Sequence, residues 1–163
     1  MSDHRDAPDD ARPGLAAHEV HDAVGGLPAF RRLVGSFYAK VERDEVLRPM
    51  YPDDLEPGKD HLARFLAQYW GGGDVYSADR GHPRLRLRHA PFSITPEAAG
   101  RWAELMTAAV HEQTDWPAAA RDHLLAYVRT ATPTLINQLP ADARTLPRQD
   151  DASPTGPDTG SAT

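Results

Sequence analysis

Apolar side chains recur with the spacing of an α-helix in four separate stretches of the chain. In the first stretch, from Pro28 to about Arg43, they occupy positions 30, 33, 34, 37, 38 and 41 and so share one helical face. Comparable stripes occupy residues 62–70, 102–110 and 124–136. Because amphipathic helices of this length can bury a common core, the pattern predicts a helical fold.

Proline and glycine residues mark the ends of the predicted helices. The glycine pair at 25–26 should end a short helix over residues 17–24, and the three glycines at 71–73 should end the second stripe. Thr95-Pro96 is typical of an N-cap followed by the first helical turn. Pro133 lies inside the fourth stripe, where it should kink or shorten the helix.

One short stretch departs from the helical spacing. Residues 84–88 read RLRLR, and alternation with a period of two is typical of a half-buried strand. Taken alone, this pattern predicts a short strand. Nothing else in the sequence alternates, so such a strand would have no partner. The chain as a whole is therefore predicted to be all-α.

The composition excludes several classes of function. The 163 residues include 18 Lys and Arg against 24 Asp and Glu, and an acidic chain of net charge -6 is a poor nonspecific binder of nucleic acid. Without cysteine there can be no disulfide, thiolate metal site or thiol nucleophile, so a metal would need His, carboxylate or cofactor ligands. The sequence has neither a long apolar run nor a signal peptide, which predicts a cytoplasmic protein that does not insert into membranes.

Both ends of the sequence lack the apolar residues that a folded segment needs. Residues 1–17 are rich in Asp, Arg, Pro and Ala, and residues 141–163 are rich in Pro, Asp and Thr. Segments of this composition bury too little surface to offset the entropy that is lost on ordering. We therefore predict a disordered N-terminal tail over 1–17, one folded domain over 18–140 and a disordered C-terminal tail over 141–163.

A segment rich in arginine stands out in this acidic chain. Residues 80–92 read RGHPRLRLRHAPF and concentrate basic residues around His89, which has apolar neighbours. This combination suggests a site for an anionic, partly apolar ligand. His82 and His89 are seven residues apart with Pro83 between them, so they make a poor helical metal pair.

The same segment closely resembles the one that carries the proximal histidine in group II truncated hemoglobins, a branch of the 2-over-2 globins. Four further segments resemble this family in the same order along the chain: FYAKV at 37–41, MYP at 50–52, FLAQYWGG at 65–72 and RW at 101–102. The likeness covers about residues 20 to 139. It implies a truncated (2-over-2) globin-like helical sandwich, in which two antiparallel helix pairs cross around heme b, iron protoporphyrin IX.

The resemblance implies roles for individual residues. His89 matches the proximal histidine, whose neutral imidazole ligates the heme iron. Tyr38, Tyr51 and Trp102 match distal positions, where their O–H and N–H groups would donate hydrogen bonds to a bound ligand. Without the family, each of these side chains would be taken for an ordinary core or surface residue.

Five further residues match positions around the heme. Leu62 would line the distal wall, Phe65 would lie at the heme edge, and Gly58 would leave a path for the ligand. Arg88 would pair with one heme propionate, and Tyr76 would hydrogen-bond the other. For all five, core packing or a solvated surface position is an equally good interpretation.

The sequence departs from the family pattern in three places. His61 stands where an Arg or Lys often reaches a propionate, and Gly73 stands where a Pro often follows the paired glycines. The loop after Tyr51 is one residue shorter than usual. These departures concern the propionate contacts and the loop geometry, and they do not touch the iron ligand.

The resemblance implies a heme protein that reversibly binds dioxygen and other small diatomic ligands, and three distal donors would make oxygen release slow. Two alternatives stay open. The first is a redox enzyme that uses the heme for nitric oxide dioxygenation or peroxidase-like chemistry, with an electron-donating reductase as partner. The second is a helical interaction module that has lost its heme. The oligomeric state is also open, with a homodimer as one alternative.

Overall fold

The computed structural model describes residues 14–138. Within this range the chain forms seven α-helices, three short 3-10 turns and no β-strand, so the all-α prediction is confirmed. The α-helices are α1 (Val20–Val24), α2 (Leu27–Val41), α3 (Glu56–Tyr69), α4 (Ser77–Arg80), α5 (Leu85–His89), α6 (Pro96–His111) and α7 (Ala118–Ala131). The 3-10 turns are Ala17–Glu19, Arg48–Met50 and Thr132–Leu135.

The four predicted stripes form α2, α3, α6 and α7, and the predicted end signals act where they were placed. Gly25 and Gly71 adopt the left-handed conformation that glycine tolerates, at φ +105° and +109°. The Thr95 hydroxyl accepts a hydrogen bond from the Ala98 N–H at 3.1 Å and so caps α6. Pro133 shortens the last helix as predicted, because α7 ends at Ala131 and continues as a 3-10 turn.

The strand that residues 84–88 predict when taken alone is wrong. Residues 85–88 lie in α5, a helix of little more than one turn. Arg84 immediately precedes this helix and has φ +42°. Leu85 packs against the core, whereas Leu87 is 67% exposed. The alternation therefore reflects one inward and one outward side chain on a short helix. A lone strand would leave its backbone groups without partners, whereas a helical turn pairs them locally.

The core lies where α2 packs against both α3 and α6, while α6 also packs against α7. The helix α2 contributes most to this core, because its stripe is almost completely inaccessible to solvent. Burial of each large apolar side chain stabilises the fold by about 1.5–3 kcal/mol. The largest fully buried side chains are Phe30, Leu33, Phe37, Leu47, Met106 and Leu124.

The start of the described chain is fastened to the last helix. Leu15 packs against the core, and its carbonyl accepts a hydrogen bond from His123 Nε2 at 2.6 Å. A Cβ at Gly71 would lie 1.9 Å from the carbonyl oxygen of His18, so only glycine lets the end of α3 approach this segment.

The predicted tails fall outside the described residues except for residues 14–17. No helix within residues 14–138 is long and apolar enough to span a membrane.

Candidate functional site

His89 is the last residue of α5, and its half-buried imidazole is fixed by a backbone hydrogen bond. Its Nδ1 lies 2.6 Å from the carbonyl oxygen of Leu85, one helical turn earlier. Because a carbonyl oxygen can only accept, Nδ1 carries a proton, and in the neutral imidazole Nε2 then carries the lone pair. The geometry thus selects the tautomer whose Nε2 can ligate a metal.

The backbone around His89 is held by a residue that the sequence analysis missed. The Asn137 Nδ2 group donates to the carbonyl oxygens of Phe92 at 2.8 Å and His89 at 3.3 Å. Its Oδ1 atom accepts from the Ile94 N–H at 2.8 Å. Asn137 follows the last apolar stripe and carries no local motif, so no pattern in the sequence identifies this nonlocal role.

Arg88 joins α5 to the segment that precedes it. Its Nε donates to the Pro83 carbonyl oxygen at 2.8 Å, and its Nη2 donates to the Arg80 carbonyl oxygen at 2.7 Å. The guanidinium also lies over the ring of Tyr76, 5.6 Å from its centroid. Arg88 and Tyr76, for which the family resemblance implies contacts with the two propionates, are therefore neighbours.

The three predicted distal side chains are brought together around Phe37. The ring centroid of Phe37 lies 5.0 Å from that of Trp102 and 5.5 Å from that of Tyr38. Tyr38 in turn contacts Tyr51 edge to face at 5.6 Å. Because these side chains come from α2, α6 and the segment before α3, the cluster exists only in the folded chain.

Burial raises the pKa of both phenols in this cluster. It raises the pKa of Tyr51 to about 12, although a hydrogen bond from the Trp102 side chain partly opposes the shift. Burial also raises the pKa of Tyr38, and the nearby Tyr51 adds to that shift. Each hydroxyl therefore keeps the proton that it needs to act as a hydrogen-bond donor even at alkaline pH, where an exposed phenol would begin to lose it.

The helix α3 carries the other predicted apolar residues. Phe65 is buried and contacts the buried ring of Tyr76 edge to face at 5.8 Å, whereas Leu62 is half-buried against the core. Gly58, on the first turn of α3, lies beside the Tyr38 hydroxyl. Each of these residues contacts another member of the predicted set or the common core.

His61 lies beside Arg80, a residue to which the sequence analysis gave no role. Arg80 Nη1 is 3.0 Å from His61 Nε2. Burial lowers the pKa of His61, and the positive charge of Arg80 lowers it further. His61 is therefore neutral near pH 7, and its Nε2 accepts the hydrogen bond from Arg80.

A cavity of about 680 Å³ lies elsewhere, between the end of α2 and the first turn of α6. Its lining is mostly charged and includes none of the predicted site residues: Arg43, Asp44, Glu45, Val46, Pro96, Glu97, Gly100, Arg101 and Glu104. Asp44 is engaged there by Arg101 at 2.5 Å and by the N–H groups of Val46 and Leu47. We therefore do not assign this cavity to the predicted site.

Residues 14–138 contain no cluster of three His, Cys, Asp or Glu side chains that could hold a bare metal ion.

Comparison with known proteins identifies the family. The model of the bacterial-like globin family matches residues 19–137, which is most of the chain. The chain therefore belongs to the bacterial-like globins.

Relatives place the chain more narrowly within that family. It is 32% identical over 131 residues to the group 2 truncated hemoglobin YjbI of Bacillus subtilis, which covers 80% of this chain and 98% of that protein. The hemoglobin of Chloroflexus aurantiacus is 48% identical with a TM-score of 0.70, covering 73% of this chain and 98% of that one. The thermostable hemoglobin of Thermobifida fusca is 45% identical with a TM-score of 0.69, covering 72% and 96% respectively. The predicted resemblance to group II truncated hemoglobins and the predicted truncated globin fold are confirmed.

Proposed function

We propose that this chain holds heme b through His89 and reversibly binds dioxygen and other small diatomic ligands. The hydrogen bond between His89 Nδ1 and the Leu85 carbonyl oxygen carries the proposal, because it leaves Nε2 with the lone pair that an iron ligand needs. Globins as a family bind heme and small ligands such as oxygen, and the relatives compared above are hemoglobins by name. Both findings support the same chemistry here.

The side chains on α3, α5 and α6 that belong to the predicted site suit a flat, mostly apolar group that carries carboxylates. Phe65 and Leu62 offer apolar surface on α3, and Trp102 offers an aromatic face on α6. The Nη1 group of Arg88, whose Nε and Nη2 donate to backbone carbonyl oxygens, and the O–H of Tyr76 would be the donors to the carboxylates. Heme, when bound, supplies an iron with one coordination position free for a small ligand.

The distal cluster would act as a set of hydrogen-bond donors. Their O–H and N–H groups would stabilise partial negative charge on a small ligand held beside them. Tyr38, Tyr51 and Trp102 are the candidates, and their contacts with one another restrict where each group can point. Each net hydrogen bond is worth about 1 kcal/mol, which corresponds to roughly fivefold slower release of oxygen.

Heme titration of the purified full-length chain tests the proposal. We expect saturation at one heme per chain and ferrous spectra that change reversibly between nitrogen and oxygen. Carbon monoxide should displace the oxygen in the same sample. A chain that folds with its helical content intact yet binds no heme would refute the proposal and would favour a helical interaction module.

A further inference from the structure

We propose that Gly58 is a positioning residue for the hydroxyl of Tyr38, and that its missing side chain is what allows this hydroxyl to remain in the distal cluster. A Cβ built at Gly58 would lie 2.6 Å from the Tyr38 hydroxyl oxygen, which is too close for any real contact. The same Cβ would lie 3.5 Å and 3.7 Å from ring atoms Cζ and Cε1, which are ordinary contact distances. Only the hydroxyl, and not the ring, requires glycine at position 58.

Tyr38 has little room in which to avoid such a collision. Its side chain is 4% exposed, so it cannot swing into solvent. The rings of Phe37 and Tyr51 contact it edge to face at 5.5 Å and 5.6 Å. A methyl group at position 58 would therefore force the hydroxyl away from its present place or push α3 away from α2.

The local backbone gives no other reason for glycine at this position. Gly58 lies in helical conformation and is not among the glycines with positive φ. Glycine is a poor helix former, so an alanine would be preferred if the space were free. Gly35 in α2 and Gly100 in α6 have nothing within 4 Å of the Cβ position, and they provide matched controls.

The inference rests on the proposed function only where it concerns oxygen. If the Tyr38 hydroxyl donates to bound oxygen, then Gly58→Ala should speed oxygen dissociation about as much as Tyr38→Phe does, which is roughly fivefold. The double variant should show no further increase, because the hydroxyl that collides with the methyl group is already gone. A ligand path through position 58 predicts instead that Gly58→Ala slows oxygen association equally in both backgrounds.

Thermal unfolding of the parent, Gly58→Ala, Tyr38→Phe and the double variant tests the packing without reference to oxygen. We expect Gly58→Ala to lower the midpoint temperature when Tyr38 is present and to raise it when residue 38 is changed to Phe. Gly35→Ala and Gly100→Ala should leave the midpoint equal or higher in both backgrounds and should leave oxygen dissociation unchanged.

The outcomes separate the two proposals. A Gly58→Ala effect on the midpoint that is the same in both backgrounds would overturn the role of Gly58, whatever the oxygen rates show. If Tyr38→Phe leaves oxygen dissociation unchanged while the midpoints remain coupled, the donor role of Tyr38 fails and the positioning role of Gly58 stands. Coupled midpoints together with a roughly fivefold faster, non-additive release of oxygen would support both.

Discussion

The imidazole of His89 and the phenols of the distal cluster are prepared for their roles by different causes. A backbone carbonyl selects the tautomer of His89 through a single hydrogen bond. Burial acts on Tyr38 and Tyr51, since a charged phenolate loses more hydration than a neutral phenol does. The first effect prepares a metal ligand, and the second preserves two hydrogen-bond donors.

Removal of single donors should be visible in the release of oxygen. Tyr38→Phe and Trp102→Phe should each speed oxygen dissociation by roughly fivefold, because each loses a net hydrogen bond worth about 1 kcal/mol. Carbon monoxide carries less negative charge when bound, so its dissociation should respond less. In each single variant Tyr51 can partly replace the missing donor. The double variant should therefore release oxygen faster than either single variant. Stopped-flow rates within twofold of the parent in all three variants would return these residues to a packing role.

The phenol of Tyr51 should make the fold sensitive to alkali. Its pKa is about 12 in the folded chain and about 10 when unfolded, so only the unfolded state loses this proton over that interval. The contribution of Tyr51 to the free energy of unfolding is therefore fully present below about pH 10. It is lost as pH rises toward 12, by at most about 1.4 kcal/mol per pH unit. Tyr51→Phe should flatten the pH dependence of urea unfolding there. An unchanged slope in Tyr51→Phe would contradict the burial effect.

At the scale of secondary structure, α5 is the element whose position depends most on distant residues. Five residues form too short a helix to persist alone, so its geometry comes from its contacts. Arg88 fixes it to residues 80 and 83, and Asn137 fixes its end from the far side of the sequence. The orientation of the His89 imidazole is thus set by tertiary structure.

Loss of the Asn137 amide should loosen this element. Asn137→Ala removes donors to two carbonyl oxygens and the acceptor for the Ile94 N–H, which should lower the free energy of unfolding by about 1–3 kcal/mol. We also expect faster loss of heme to a scavenging apoglobin. Thr134→Ala is a matched control, because its hydroxyl bonds only to Ala131 in the preceding turn. Equal rates of heme loss in both variants would show that Asn137 does not support the site.

The helices with long stripes could be predicted from sequence, whereas α5 and its supports could not. The stripes of α2, α3, α6 and α7 repeat over several turns, and burial of one face follows directly from that periodicity. Residues 84–88 offered a period of two over a stretch too short to distinguish a strand from one helical turn. The contacts of Asn137 with Phe92 and of Arg80 with His61 join residues 45 and 19 positions apart, and neither leaves a local pattern.

At the scale of the whole molecule, the folded part of the chain should not need its predicted tails. A chain of residues 14–140 keeps the hydrogen bond from His123 to the Leu15 carbonyl oxygen, whereas one of residues 18–140 loses it. We expect both to retain full heme content, with the shorter chain less stable by about 1 kcal/mol in urea unfolding. Loss of heme in the 14–140 chain would mean that a segment removed from it packs on the domain, and loss in the 18–140 chain alone would mean that the contacts of residues 14–17 support the heme site.

We expect His89 to be the residue that holds the heme iron. The ferrous absorption spectrum of His89→Ala, recorded with and without added imidazole, tests this role. We expect the variant either to lose stable heme or to recover the parent spectrum only when imidazole replaces the missing ligand. His82→Ala, in the same basic segment, should keep the parent spectrum, because its exposed ring contacts only the local Arg84 N–H. A ferrous spectrum of His89→Ala that is unchanged without imidazole would show that His89 does not hold the iron.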